Sequence, residues 1–276
     1  IKVPEIKIRN DLTTATTALV CISDLHAGST FEIKGLYDEI INKYDYDIMQ
    51  ARLWELLNKF MNDDIVCDDI VIAICGDALE NILRLSSLTK LKEPVVDTTI
   101  KLGAFLAEYI AEFQRQTQLP ITVISCGGNH DINRVLGQKP QLEEENMTKI
   151  IVELLQLRLQ NCPNIIVKDY AEVVIENIRG TNIMFQHGED KDLKVTLDYF
   201  DNLYNISIDE IIAGHLHSPE TKTVGITDLG DRVLTRVGSI VGIDTFSKKI
   251  RESARPSAYV ALYTEDGKSW NKNYYL

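Results

Sequence analysis

Long apolar runs are missing from this 276-residue chain. No window approaches 18 consecutive apolar residues, so a membrane-spanning helix is not expected. The opening IKVPEIKIRND lacks the apolar centre of a signal peptide, and the expectation is a soluble, cytoplasmic protein with no membrane partner. The chain starts at Ile1 instead of Met, as a processed or trimmed chain would. Cysteine is scarce: Cys21, Cys67, Cys75, Cys126 and Cys162 form an odd set without a CxxC pair. That argues against a disulfide framework and against a thiolate zinc site. Cys21, Cys75 and Cys126 fall in apolar runs, where a reduced thiol packs as a small hydrophobe. Positive charge is in deficit, with 29 Lys and Arg against 41 Asp and Glu and a net charge of −12. Loose attachment to nucleic acid or to an anionic membrane is thereby disfavoured, although a local cationic site is not. Repeats, low-complexity tracts and linkers are also missing.

What remains is the composition of an ordinary globular protein, 45% hydrophobic and 25% charged. Short β-rich runs alternate with helical stretches. TALVCIS (17–23), IVIAIC (70–75), ITVISC (121–126), TNIMFQ (181–186) and DEIIA (209–213) are each short enough for a buried strand. Leu53, Leu56, Leu57 and Phe60 recur at helical spacing, as do Leu102, Phe105, Leu106, Tyr109, Ile110 and Phe113. Met147, Ile150, Ile151, Leu154 and Leu155 give a third stripe, opened by acidic residues 143–145 that suit a helix N-terminus. The fold class is therefore α/β, βαβ-like in its first half and strand-rich from 165 onward. The simplest partition is one catalytic domain over residues 1–276, with its motifs in 17–217 and a strand-rich part at 218–276.

The polar residues collect where the strands end. Asp24-Leu25-His26 follows the first run, Gly76-Asp77 the second, and Gly127-Gly128-Asn129-His130-Asp131 the third; His187-Gly188 and Gly214-His215-Leu216-His217 follow the last two. All five histidines of the chain are in these clusters. Ligands of open α/β sheets bind beyond the carboxyl ends of the strands, so the clusters are expected to converge on one crevice. In an extended segment residues i and i+2 point the same way, which would pair Asp24 with His26 and His215 with His217. Taken singly, His187 reads as a semi-buried structural histidine and Gly-Asp as a turn. Five strand-end clusters absorbing every histidine have no packing explanation. Imidazole, carboxylate and carboxamide donors suit manganese, iron, zinc or similar divalent ions better than calcium. Asp24, His26, Asp77, Asn129, His187, His215 and His217 exceed the needs of one ion and fit two that share a bridging carboxylate about 3.5–4 Å apart.

In this order the motifs D-x-H (24–26), G-D (76–77), G-N-H-D (128–131), H (187) and G-H-x-H (214–217) resemble the calcineurin-like metallophosphoesterase superfamily. The resemblance implies a four-layer α/β/β/α sandwich with two ions held at the strand ends. It assigns Asp24, His26, Asp77 and His217 to one ion and Asp77, Asn129, His187 and His215 to the other, with Asp77 bridging. His130 would act on the substrate, steadying charge or protonating the leaving oxygen. Asp131 would orient it, or would simply cap its own turn. The implied cofactor is a pair of divalent ions, manganese first, with iron, zinc, nickel and magnesium as alternatives.

The signature departs from the phosphoprotein phosphatases, since 76–81 reads GDALEN and 128–131 reads GNHD. It looks closer to the DNA-repair-exonuclease branch and its phage and bacterial relatives, in which DNA is the expected substrate. No full DNA-capping domain is expected within residues 218–276, so phosphate contacts would fall to loops. Arg134 and Lys139 are the candidates, followed by Lys248, Lys249, Arg251 and Arg255, a cluster for which a plain solvated surface is the favoured reading. Hydrolysis of a small nucleotide or other small phosphoester is the alternative, and a non-catalytic scaffold of the same fold a minor one. A homodimer is compatible with the sequence. Glu80 and Asn81 would contact substrate or cap a helix, and Trp54 would lie in the core or at its rim.

Overall fold

The computed structural model describes residues 15–82, 85–133, 145–190, 192–251 and 254–276. In chain order the strands are β1 (Thr17–Ile22), β2 (Phe31–Lys34), β3 (Ile40–Tyr44), β4 (Asp69–Cys75), β5 (Ile121–Cys126), β6 (Ile165–Val167), β7 (Val174–Ile178), β8 (Thr181–Gln186), β9 (Glu210–Ala213), β10 (Glu220–Thr227), β11 (Gly230–Arg236), β12 (Ser257–Thr264) and β13 (Gly267–Tyr275). The helices are α1 (Tyr46–Asn62), α2 (Leu85–Leu88), α3 (Val95–Thr117), α4 (Thr148–Leu159), α5 (Leu193–Tyr204) and α6 (Thr245–Ile250).

Two sheets stand face to face. The first runs β13-β12-β1-β4-β5-β6 and the second β10-β11-β9-β8-β7, while β2 and β3 form a separate hairpin. The four strands β1, β4, β5 and β6 are mutually parallel, and β12 joins β1 antiparallel. Apolar runs without alternation are what a sheet covered on both faces requires. One face of the first sheet carries Ala18, Val20, Ile70, Ile72 and Val123 into a core with Leu53, Leu56, Leu106, Ile110 and Leu155 of α1, α3 and α4. The opposite face carries Leu19, Cys21, Val71, Cys75, Ile124 and Cys126 onto Ile183, Phe185 and Ile212 of the second sheet. Beyond it Met184, Ile211 and Ala213 pack on Leu193 and Leu197 of α5. The layers are thus helix, sheet, sheet and helix, the architecture that the motif order implied. Each residue in a strand of the inner pair contributes to one of two cores, according to its parity.

The helical stripes of α1 and α3 are buried as the spacing indicates. Asp45 starts α1 by accepting a hydrogen bond from the Ile48 N–H at 3.0 Å. In α4 the buried line is Ile151, Val152, Leu155 and Leu159, and Ile150 is 46% exposed. The stripe is rotated because α4 packs mainly on α3, where Gly103 lies against the Leu154 side chain. Trp54 is half-buried between Phe105 and Tyr109. No helix among the described residues is long and apolar enough to cross a membrane.

Candidate metal centre

β1, β4, β5, β8 and β9 all end at one rim of the paired sheets, and there the chain leaves extended geometry. Asp24, His26, Asp77, His215 and His217 all have positive φ, between 43° and 74°. The expectation that i and i+2 side chains project together from extended backbone is therefore corrected. These loops alternate into left-handed geometry, a costly conformation for non-glycine residues that clusters at functional sites. Backbone pairing holds the turns in place: Asp24 N–H donates to the Gly76 carbonyl at 3.1 Å and His26 N–H to the Asp77 carbonyl at 2.9 Å. Glycine is required where loops touch. A Cβ on Gly128 would stand 2.1 Å from Asp77 Oδ1, and one on Gly76 2.5 Å from His187 Nδ1.

Among the described residues three groups of donors result, the third being His26 with Glu80 and His130. In the first, His217 Nε2 lies 3.2 Å from Asp24 Oδ1, His26 Nε2 lies 3.8 Å from the same oxygen, and the two imidazole nitrogens are 3.4 Å apart. In the second, His187 Nε2 is 3.1 Å from Asp77 Oδ2 and 3.1 Å from His215 Nδ1. Asp77 Oδ2 is also 3.8 Å from His26 Nε2, so this carboxylate stands between the first two groups. His215 and His217 are separated by the intervening left-handed turn, one in each of these two groups. Asn129 is buried in the loop after β5.

The donor set fits divalent cations. Asp24 Oδ1 is buried and, among the described residues, faces only the His217 and His26 imidazole nitrogens, and a buried carboxylate is costly unless positive charge faces it. Its other oxygen is engaged, accepting from Ser23 Oγ–H at 2.6 Å and from the His215 N–H at 3.1 Å. The Asp77 Oδ1 accepts from the His130 N–H at 2.7 Å, leaving Oδ2 for the histidines. His187 Nδ1 donates to the Cys75 carbonyl at 3.1 Å, which fixes the tautomer and presents Nε2 as a lone pair. Burial alone would raise the Asp24 and Asp77 carboxyls; His217 for the one, and His187 and His130 for the other, hold both well below the usual range. Burial and the neighbouring His187 push His215 down to about 4, which favours the neutral imidazole. Burial would lower His187, yet Asp77 and Asp24 raise it well above its ordinary value. Carboxylates this deep demand positive charge beside them.

His130 lies beside the first group, its ring 4.7 Å from that of His26. The residue behind it is Glu80: Oε1 is 3.4 Å from His130 Nδ1 and Oε2 is 3.3 Å from His26 Nδ1. Glu80 is 2% exposed, and so joins the site from within; its place three residues after Asp77 is the one signal in the sequence that pointed to it. Asp131 is oriented differently. Its carboxylate accepts from the N–H groups of Leu79 and Gly128 at 2.9 Å and of Ala78 at 3.3 Å, which ties the β4 and β5 loops together. Sequence reading also passed over Asp244, whose Oδ1 is 3.7 Å from His217 Nδ1, and Phe246, whose ring faces His215 and His217. Neither belongs to a motif. Of the basic candidates, Arg134 and Lys139 lie outside the described residues; Lys248, Lys249 and Arg251 are exposed, and Arg255 stacks 4.0 Å over the Tyr275 ring.

Two sheets enclosed by helices, with paired acid and imidazole clusters at the strand ends, define a metal-dependent hydrolase class. Residues 17–239 match the family model of calcineurin-like phosphoesterases, and the chain belongs to that family. A curated relative, the SPbeta prophage-derived uncharacterized protein YonJ of Bacillus subtilis, is 22% identical over 256 residues. That alignment takes in 91% of this chain and 62% of the relative, so the chain spans less than two thirds of its length. Similar solved structures include a metallophosphoesterase from Sphaerobacter thermophilus (14% identity, 95% and 88% of the two chains, TM-score 0.41). A dimetal phosphatase from Danio rerio is also similar (9%, 95% and 99%, 0.42). So is zinc-complexed Vps29 from Entamoeba histolytica (13%, 94% and 98%, 0.41).

Proposed function

We propose that this protein is a dinuclear phosphodiesterase acting on nucleic acid, DNA foremost, with manganese as its preferred ion. The observation that supports it best is the sharing of Asp77 Oδ2 between two histidine groups, with His130 held beside them. Asp24, His26, Asp77 and His217 would hold one ion and Asp77, Asn129, His187 and His215 the other. Bound divalent ions acidify water and offset phosphate charge.

The remaining chemistry belongs to the chain's own residues. Glu80 holds the Nδ1 side of His130, which leaves the other ring nitrogen for the substrate. Burial would lower His130, but Asp77 and Glu80 raise it to about 9; held at Nδ1 by Glu80, it is placed to give a proton to the leaving oxygen. Asp131 keeps the β4 and β5 loops at a fixed separation, and with them Asp77 and His130. The departures from the phosphoprotein phosphatase signature, GDALEN and GNHD, favour a diester over a phosphoprotein. The acidic net charge favours a second reading, hydrolysis of a small nucleotide phosphoester.

The test is incubation of manganese-loaded protein with end-labelled single- and double-stranded DNA, alongside a small chromogenic phosphodiester, with His130→Asn as the control. Cutting of DNA by the wild type alone supports the nuclease. Intact DNA beside a hydrolysed small diester favours the second reading.

A further inference from the structure

α6 carries an aromatic side chain to the rim of the metal centre, and the backbone before it is tied to the first ligand loop. Ile240 N–H donates to the Ser23 carbonyl at 3.0 Å and Val241 N–H to the Asp24 carbonyl at 3.2 Å. Asp244 then caps α6 in a reciprocal pair with Ser247: its carboxylate accepts from the Ser247 N–H at 2.8 Å, and its own N–H donates to Ser247 Oγ at 2.9 Å. This fixes the ring of Phe246 with its centroid 5.9 Å from that of His215 and 6.0 Å from that of His217. The two histidines are assigned to different ions, so the ring spans both halves of the site.

Phe246 is half-buried, and among the described residues it belongs to none of the three apolar clusters of the fold. A half-buried large apolar side chain whose ring neighbours are imidazoles is poorly accounted for by core packing. Lysines lie on and near the same helix in a chain of net charge −12. Lys248 and Lys249 are exposed on the same helix, Lys248 Nζ is 3.4 Å from the Lys34 carbonyl at the end of β2, and Lys90 Nζ is 3.7 Å from Asp244 Oδ2. An aromatic ring beside the site, on a helix that also carries two exposed lysines, suits a ligand that alternates planar rings with phosphates.

We propose that Phe246 is a specificity residue that stacks on the nucleobase adjoining the phosphate at the metal centre. Lys248 and Lys249 then face the neighbouring phosphate. This inference rests on the phosphodiesterase reading of the same site and adds to it a residue that contacts the base.

Two manganese-activated substrates with a common leaving group test it, thymidine 5′-(4-nitrophenyl phosphate) and methyl 4-nitrophenyl phosphate. Phe246→Ala is expected to lower the ratio of their kcat/KM values about tenfold, through KM of the nucleoside ester, and Phe246→Tyr to restore it. A readout independent of turnover is the fluorescence of a 2-aminopurine dinucleotide bound to the His130→Asn protein. Stacking quenches it, and adding Phe246→Ala relieves the quenching while bound metal is unchanged. Hydrolysis of both esters with an unaltered ratio in Phe246→Ala overturns the stacking role and leaves the phosphodiesterase standing. Hydrolysis of neither ester by the wild type, with no quenching, removes both.

Discussion

His130 and Glu80 show how far single residues could be read. The histidine belongs to a motif and was legible; the glutamate was visible only as one of two readings, because a carboxylate three residues beyond a turn caps helices as readily as it holds an imidazole. Replacing His130 with Asn should lower turnover by about 10²–10⁴-fold, with metal content by elemental analysis unchanged; loss of metal would make it a ligand. Asp131 belongs to the fold through three backbone donors that it satisfies at once. Asp131→Ala leaves those buried N–H groups without an acceptor and should cost about 3 kcal/mol in urea denaturation. A cost below about 1 kcal/mol would show that water replaces the carboxylate. The thiols carry a third expectation. Cys21, Cys75 and Cys126 are buried between the sheets, and the neighbouring Cys75 thiol together with burial pushes Cys126 well above its ordinary value. Ellman's reagent on the native protein should titrate no more than Cys67 and Cys162, and all five after unfolding. Early reaction of a third thiol would mean that the sheets separate.

Among the elements, β1, β4 and β5 were legible because strands buried on both faces are continuous apolar runs. α1 and α3 were legible because each presents one face to the same sheet. The β2–β3 hairpin was not, since Leu36, Tyr37, Ile40 and Ile41 are all exposed and leave no alternation to read. The rim loops were legible as motifs but not as geometry, because left-handed backbone at Asp24, His26, Asp77, His215 and His217 falls on residues that are not glycine and is held by tertiary hydrogen bonds. At the far end of α1, Asp63 accepts from Lys272 Nζ at 2.7 Å and from the Tyr274 hydroxyl, docking the helix on β13. These hydrogen bonds, Lys272 first, hold the Asp63 carboxyl below its usual value. A carboxyl lowered on folding stabilises above its unfolded value near 4, and that contribution is lost as pH falls through the folded value. Solvent screening keeps it under about 1 kcal/mol. Asp63→Asn should therefore narrow the stability difference between pH 6 and pH 3 in thermal melts; an unchanged difference would deny the pair any role.

At the scale of the whole molecule, the five loops with the candidate ligands come from both sheets, so any cation they share would clamp the sandwich at its rim. Metal that binds the native state alone stabilises it by mass action, about 2.7 kcal/mol at a hundredfold excess over Kd. Chelation should accordingly lower the melting temperature by several degrees, and Asp77→Asn should remove most of that dependence. The most direct test of the account is the metal stoichiometry and magnetic coupling of manganese-reconstituted protein, read by elemental analysis and electron paramagnetic resonance. Two ions per chain with the signature of an exchange-coupled pair, lost in Asp77→Asn, is the predicted result. A single uncoupled ion per chain, or coupling that survives Asp77→Asn, would contradict a centre bridged by that carboxylate.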